Sequence, residues 1–117
     1  MLPKRSRITK QTIEKHLLKG RRLKTSRFLV LYTQIPSHTA PQVSFSASKK
    51  IAPKAVLRNK LRRRGYDAVR PLIPFLSPTA VALVSYTNPD IKTTIPEMRE
   101  ELKKAFIQAR IYRVNEQ

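Results

Sequence analysis

Cysteine and tryptophan are absent from this chain of 117 residues, and glycine and histidine each occur only twice. Without cysteine the chain has no disulfide and no thiolate metal ligand, which suits a reducing compartment such as the cytoplasm. Two glycines are too few for a glycine-rich phosphate-binding loop. The longest apolar runs are five residues each, far shorter than a membrane span or the core of a signal peptide. We therefore expect a soluble cytoplasmic protein without a membrane partner.

Residue types that carry enzymatic chemistry are also scarce. His16 lies in a charged helical segment and His38 in a loop of Pro, Ser and Thr, so both are interpreted as surface side chains. No group of Cys and His has metal-binding spacing, and no metal site is expected in the polypeptide. Glu97, Glu100 and Glu101 gather at the start of a predicted helix, where the helix dipole explains them better than catalysis does. The sequence predicts no catalytic residue in this chain.

Acidic residues are few, and their distribution is uneven. The chain has 25 Lys and Arg against 7 Asp and Glu, a formal net charge of +18. Residues 1–64 hold 18 of the basic residues and a single acid, Glu14, whereas residues 65–117 carry a net charge of only +1. Eight basic residues and no acid lie between Lys49 and Arg64. Such crowding is unfavourable until a polyanion neutralises it, so the sequence predicts nucleic-acid binding by the first half of the chain.

Apolar periodicity and turn residues predict the element order α-β-β-α-β-α in one α+β domain. A basic arm, residues 1–8, leads into a helix that starts at Thr9 or Thr12 and stops at Gly20, and residues 114–117 form a flexible tail. Alternation predicts strands over residues 27–33 and 42–48, and a run of Ala and Val predicts a third over residues 79–87. The third strand is fully apolar in its middle and is placed at the centre of a small sheet that packs against helices.

The central helix is predicted from about Pro53, because proline is tolerated at a helix start. At 100° per residue its core-facing arc contains Leu57, Leu61, Gly65, Ala68 and Leu72, and its outward arc contains Asn59, Arg62, Arg63 and Tyr66. Gly65 either ends this helix after Arg64 or lies where another backbone approaches closely.

Two later segments are predicted to be irregular. Residues 71–78 contain three prolines and are interpreted as a linker, and Asn88-Pro-Asp90 is interpreted as a turn.

The last helix has a clear start signal. Thr94 is expected to cap it together with Glu97 three residues later, with Pro96 inside the first turn. The predicted core stripe of this helix is Met98, Leu102, Ala105, Phe106 and Ala109.

The stretch from Ser46 to Arg63 combines several motifs. A strand ending Ser46-Ala-Ser-Lys-Lys-Ile leads into a helix reading Ala55-Val-Leu-Arg-Asn-Lys-Leu-Arg-Arg63, and residue types, spacing and element order agree. This combination resembles the signature of the protein subunit of bacterial ribonuclease P, more loosely from Pro3 to about Arg113. The resemblance implies a single domain over residues 1–117, like the second domain of ribosomal protein S5, with a left-handed β-α-β crossover. The handedness rule alone would favour a right-handed one.

The resemblance also implies a function. The chain would be the accessory subunit of a ribonucleoprotein endoribonuclease that removes the 5′ leader of precursor tRNA in tRNA 5′ maturation. Catalysis would belong to the RNA subunit, and Mg²⁺ would be held by that RNA and the substrate. The expected partners are the catalytic RNA, in a 1:1 complex with a monomeric protein, and precursor tRNA.

Two surfaces are expected to contact RNA. The basic helix and the lysines before it supply groups for phosphates and sugars: Lys49, Lys50, Lys54, Arg58, Asn59, Lys60, Arg62, Arg63 and Arg64. The resemblance places the leader in a cleft between the first helix and the sheet, whose candidate residues are Ile13, Leu17, Val30, Tyr32, Phe45 and Ser46. The apolar members of this cleft, Ile13, Leu17, Val30 and Phe45, are equally compatible with a core position. We expect Arg58→Ala and Arg62→Ala to weaken RNA binding.

Two other functions fit the composition. A structural ribosomal protein that binds ribosomal RNA would be similarly basic. A DNA-binding regulator is a weaker alternative, because the chain lacks a clear helix-turn-helix pair and its charge surrounds the helix instead of aiming at one groove.

Overall fold

The computed structural model describes Leu17, residues 19–88 and residues 92–113. The basic arm, most of the predicted first helix, the end of the predicted turn after Asn88 and the tail over residues 114–117 lie outside the described residues. The described elements are β1 (Arg21–Lys24), β2 (Phe28–Gln34), β3 (Gln42–Ser46), α1 (Ala55–Val69), a 3-10 helix (Arg70–Phe75), β4 (Ala80–Tyr86) and α2 (Ile95–Gln108). Each of the two α-helices agrees with a predicted helix.

The four strands form one mixed sheet in the order β1-β2-β4-β3. β4 pairs antiparallel with β2 and parallel with β3, so the apolar third predicted strand is central, as expected. Because α1 connects the parallel neighbours β3 and β4, this segment is a β-α-β crossover, for which the resemblance implies the left hand. The fold is a small α+β single domain, as the sequence predicts.

Strand β1 was not predicted from the sequence. Its residues, Arg-Arg-Leu-Lys, show no apolar alternation, and only Leu23 packs against the core. The strand exists because a tight turn returns it onto β2: the Thr25 amide donates to the Phe28 carbonyl at 2.8 Å. Glu101 of α2 accepts a hydrogen bond from the Arg27 amide at 3.1 Å and also pairs with the Arg27 guanidinium, which ties this turn to the helix.

The main core lies between one sheet face and the two helices. Phe28 contacts Tyr86 edge-on with ring centroids 5.0 Å apart, and Phe45 contacts Tyr66 in the same way at 5.3 Å. The prediction that Tyr66 points outward is wrong, because the residue is only 8% exposed and its hydroxyl accepts a hydrogen bond from the Phe45 amide at 3.3 Å. The buried arc of α1 is wider than predicted because the helix contacts both the sheet and α2.

Gly65 lies inside α1, which continues to Val69. A Cβ atom built on Gly65 would lie 2.5 Å from Cδ2 of Phe45. Of the two predicted roles for this glycine, the close approach is the one observed, although an aromatic side chain and not another backbone makes it. The aromatic core therefore depends on the missing side chain.

The segment of residues 71–78 is more than a linker. Its first part is the 3-10 helix, with Pro71 in the first turn, and Leu72 and Leu76 are buried in the main core. Proline fixes φ near the helical value, so the prolines here favour a short tight helix instead of an irregular connection.

The predicted start and core stripe of α2 are confirmed. The Thr94 hydroxyl accepts from the Glu97 amide at 3.3 Å, and the Glu97 carboxylate accepts from the Thr94 amide at 3.2 Å. All five residues of the stripe are buried: Met98, Leu102, Ala105, Phe106 and Ala109. Among the described helices, none combines the length and the apolar character that crossing a bilayer requires.

Candidate nucleic-acid interface

The outward side of α1 and the loop before it form a basic surface. This basic surface consists of the exposed residues Lys49, Lys50, Lys54, Asn59, Lys60 and Arg63. Ser48 shapes the loop, since its carbonyl accepts from the amides of Ile51 at 3.1 Å and Ala52 at 2.9 Å. The first turn of α1 carries no acidic residue. Within the described part of the chain, no acidic side chain forms an ion pair with these cations. The lysines before α1 also lie next to the positive end of the helix dipole.

Arg58 takes a different position from its neighbours. Its side chain is partly buried, and Nη1 donates to the carbonyls of Ala52 and Pro53, both at 2.9 Å. These bonds close the loop onto the first turn of α1. Arg58 therefore positions the basic surface, and only the remaining N–H groups of its guanidinium are available to a phosphate.

Arg62 and Asn59 act as a pair. Nη2 of Arg62 donates to the Asn59 side-chain oxygen one turn earlier. The pair lies at the edge of the basic surface, with Arg62 half-buried and Asn59 exposed. The bond occupies the Asn59 side-chain oxygen and leaves the amide nitrogen, which is a donor, as the group that this exposed residue can offer to a sugar or phosphate.

Arg64 points away from the basic surface, towards the loop before α2. Its Nη2 donates to the carbonyl of Thr93. Arg64 also lies near the buried Tyr86, whose hydroxyl donates to the Leu61 carbonyl at 2.7 Å. Burial raises the pKa of the Tyr86 phenol well above its usual value, against the smaller opposing effects of Arg64 and Arg27. Arg64 joins α1 to the rest of the fold, whereas the sequence grouped it with the phosphate contacts.

The residues predicted for the leader cleft do not share one surface. Val30 and Phe45 are buried beneath the helices, and Tyr32 packs against the same core. Leu17 packs against Val81 on the opposite side of the sheet. Successive side chains of a strand point to opposite faces, so Phe45 and Ser46 cannot line the same face. Ile13, the remaining candidate, lies outside the described residues.

The sheet face opposite α1 and α2 carries half-buried side chains in its middle and exposed cations on β1. Strand register places two rows of side chains across it. This outer sheet face consists of Lys24, Leu29, Ser85 and Ser46 in one row and Arg22, Leu31, Leu83 and Ser44 in the next. Leu31 and Leu83 pack beside Leu17, and the Ser46 and Ser85 hydroxyls are 2.9 Å apart. The leucine and serine side chains of this face thus form a strip. Arg22 and Lys24 of β1 lie on one side of it, and the lysines that follow β3 lie on the other.

Among the predicted cleft residues that the structure describes, Ser46 belongs to the outer sheet face, and Leu17 packs beside Leu31 and Leu83 of that face. The cations Arg22 and Lys24 were missed because β1 has no strand pattern of its own. The alternation of β2 contained a usable signal, since it places Leu29 and Leu31 on the face opposite Phe28. No group of three His, Asp or Glu side chains within the described parts of the chain is arranged to hold a metal ion.

These features define a class of protein: a small basic α+β sandwich whose sheet and central helix expose surfaces suited to a polyanion. Comparison with known proteins narrows the class. A family model described as Ribonuclease P matches residues 2–110 of the sequence. The chain therefore belongs to the ribonuclease P protein family.

Individual relatives agree with this assignment. A ribonuclease P protein component from Rippkaea orientalis is 35% identical over 97 residues, covering 80% of this chain and 76% of the relative. One from Picosynechococcus is 30% identical over 79 residues, covering 67% of this chain and 68% of the relative.

Solved structures share the fold. The RNase P protein of Staphylococcus aureus matches with a TM-score of 0.76 at 21% identity, over 92% of this chain and 97% of its own. The protein from Thermotoga maritima matches with a TM-score of 0.69 at 18% identity, over 94% of this chain and 98% of its own.

Proposed function

We propose that this chain is the protein component of a ribonuclease P and binds the catalytic RNA of that enzyme through its basic surface. The exposed, acid-free group of cations around Lys60 and Arg63 is the observation that carries the proposal, in a chain that belongs to this family. Each Lys or Arg that meets a phosphate releases a condensed counterion, which makes binding favourable at moderate salt. The family assignment favours this RNA over ribosomal RNA.

The outer sheet face is the proposed site for the 5′ leader of precursor tRNA. Single-stranded RNA requires cations along its backbone and flat or apolar groups for its bases. Arg22 and Lys24 supply the cations at one edge, and Leu29, Leu31 and Leu83 supply apolar contact in the middle. Small Ser side chains at the other edge allow the backbone of the leader to approach closely.

The proposed reaction is hydrolysis of a phosphodiester bond in precursor tRNA, with Mg²⁺ bound by the RNA subunit and the substrate. The part played by the protein is electrostatic and positional. Its cations reduce the repulsion between two polyanions, so less Mg²⁺ is needed to hold substrate and catalytic RNA together. Contact with the leader adds affinity for precursor tRNA that mature tRNA, which lacks the leader, does not gain.

A cleavage assay tests the whole proposal. The protein is added to cognate RNA and precursor tRNA at low Mg²⁺, and mature 5′ ends are counted. We expect a clear gain in cleavage; no gain would contradict the proposal.

Substitutions on the basic surface and on the outer sheet face should have different effects on RNA binding. Lys60→Gln with Arg63→Gln should weaken binding to the catalytic RNA. Arg22→Ala with Lys24→Ala should weaken binding of precursor tRNA to the assembled enzyme while leaving mature tRNA unaffected. Equal losses for both tRNAs would contradict the assignment of the leader to the outer sheet face.

A further inference from the structure

An exposed aromatic patch lies where the 3-10 helix ends. Phe75 is 49% exposed, and its ring stacks on that of Tyr112 with centroids 5.8 Å apart and planes inclined by 28°. Nζ of Lys103 lies 6.0 Å from the centre of the Tyr112 ring. Ile107, one turn after Lys103 on α2, is 39% exposed. We call Phe75, Lys103, Ile107, Tyr112 and Arg113 the aromatic patch.

The backbone under the aromatic patch is firmly held. Leu76 and Tyr112 form an antiparallel bridge, and the Arg113 amide donates to the Phe75 carbonyl at 2.6 Å. The Arg113 guanidinium donates to the Pro74 carbonyl at 2.8 Å. Leu76 is 1% exposed, so the chain buries the residue next to Phe75 and leaves the larger ring in solvent. A ring held in this way is ready to stack without further ordering.

The aromatic patch contains two cations and no acid. Glu100, which precedes Lys103 by about one turn on α2, lines a separate groove beside the β1–β2 turn. A second copy of a chain with net charge +18 is a poor partner for a cationic surface. Single-stranded RNA fits better, because it offers phosphates to Lys103 and Arg113 and an unpaired base to the ring of Phe75.

Strand geometry separates the aromatic patch from the lysines at the start of α1. β4 begins at Ala80, shortly after the patch, and β3 runs parallel to it. Ser46 at the end of β3 pairs with Ser85 near the end of β4, so Lys49 and Lys50 lie towards the opposite end of the sheet. Lys24 pairs with Leu29, which pairs with Ser85, so Lys24 also lies towards that opposite end of the sheet.

We propose that Phe75, backed by Tyr112 and flanked by Lys103 and Arg113, is a stacking site for an unpaired nucleobase of single-stranded RNA. This site is additional to the basic surface and the outer sheet face. It requires only that the protein meets RNA, and it does not depend on the cleavage of precursor tRNA.

Binding of a short fluorescent oligoadenylate to the purified full chain tests the proposal. Phe75→Ala should weaken binding by about tenfold, in line with the usual effect of losing one base–aromatic contact. Phe75→Tyr should bind within about twofold of the unchanged protein. Phe75→Leu keeps apolar bulk without an aromatic face and should be nearly as weak as Phe75→Ala. Thermal melting of all three variants verifies that they are folded.

An oligonucleotide of the same length with abasic sites distinguishes stacking from a change in the fold. This oligonucleotide has no base at those sites for the Phe75 ring to stack on. Phe75→Ala and the unchanged protein should therefore bind it with equal affinity. Equal loss with both probes, or an unchanged affinity of Phe75→Ala for oligoadenylate, would overturn the proposal. So would a dimer of the unchanged protein in sedimentation that Phe75→Ala converts to a monomer, because the patch would then be a contact between copies.

The salt dependence of oligoadenylate binding tests the contribution of Lys103 separately. Lys103→Gln should lower the slope of log affinity against log salt for the oligoadenylate by roughly 0.7, the value for one lost phosphate contact on a single strand. An unchanged slope would remove Lys103 from the proposed site.

Discussion

The packing of α1 depends on a missing side chain at Gly65. The ring of Phe45 occupies the space that a Cβ atom at this position would need. Glycine inside a helix normally costs about 1 kcal/mol relative to alanine. Here the cost is offset because Phe45 can then contact Tyr66, whose hydroxyl in turn satisfies the Phe45 amide.

Gly65→Ala should therefore destabilise the protein. Helix propensity alone would raise the free energy of unfolding by about 1 kcal/mol, whereas overpacking against Phe45 should lower it by about 1–3 kcal/mol. Urea unfolding of the single variant measures the net change. The double variant with Phe45→Leu should lose less than the sum of the two single changes, since the smaller side chain makes room for the added methyl group. A Gly65→Ala protein more stable than the unchanged chain would contradict this packing.

At the scale of elements, the cations of α1 have two roles. Some bond to other parts of the protein, and others are exposed and available to a ligand. Arg58 bonds to the loop that carries the lysines, and Arg64 bonds to the loop before α2. Lys60 and Arg63 lie in solvent on the outward side. The charge run of this helix is therefore not one uniform surface, although the sequence presents its residues as equivalent.

Arg58→Ala and Arg63→Ala should differ in their main effect. Arg58→Ala loses two hydrogen bonds from a charged group and should lower the free energy of unfolding by about 1 kcal/mol, because partial exposure reduces their value. Arg63→Ala should leave stability within about 0.5 kcal/mol and lower the salt slope of RNA binding by roughly 0.7–0.9. Thermal melting and RNA titrations at several salt concentrations measure both quantities. A stability loss in Arg63→Ala as large as that in Arg58→Ala would be incompatible with these positions.

At the scale of the whole molecule, charge is concentrated in the first half of the chain. Of the exposed cations that the structure describes in that half, the crossover from β3 through α1 to β4 carries Lys49, Lys50, Lys54, Lys60 and Arg63. The acids of the second half include Glu101, which is paired with Arg27, and Asp67, whose carboxylate lies 3.7 Å from Arg70. Asp67 and Arg70 thus balance each other within the second half, whereas Glu101 balances a cation of the first half.

Two double variants that remove equal charge test this asymmetry. Lys60→Gln with Arg63→Gln should lower the salt slope for the catalytic RNA by roughly 1.4–1.8, twice the value for one phosphate contact. Arg70→Gln with Lys104→Gln removes the same charge from the second half and should leave that slope nearly unchanged. Equal slopes for the two proteins would mean that net charge, and not the basic surface, governs binding.

Local signals in the sequence were sufficient to predict much of the molecule. The capping box at Thr94, the core stripe of α2 and the apolar centre of β4 depend on neighbouring residues, and all three were confirmed. The family motif after Ser46 is also local, because it is a fixed spacing of residue types along one strand and one helix.

Other features depend on partners far along the chain, and only the tertiary structure decided them. β1 forms because β2 pairs with it, and Tyr66 is buried because the ring of Phe45 approaches Gly65. The division of the predicted cleft residues between two sheet faces follows from strand register. Side-chain chemistry and short-range spacing by themselves determined the charge, the two described α-helices and the family of this protein. Contacts between distant segments decided which of its cations face solvent, because a sequence pattern specifies a face of an element but not what covers that face.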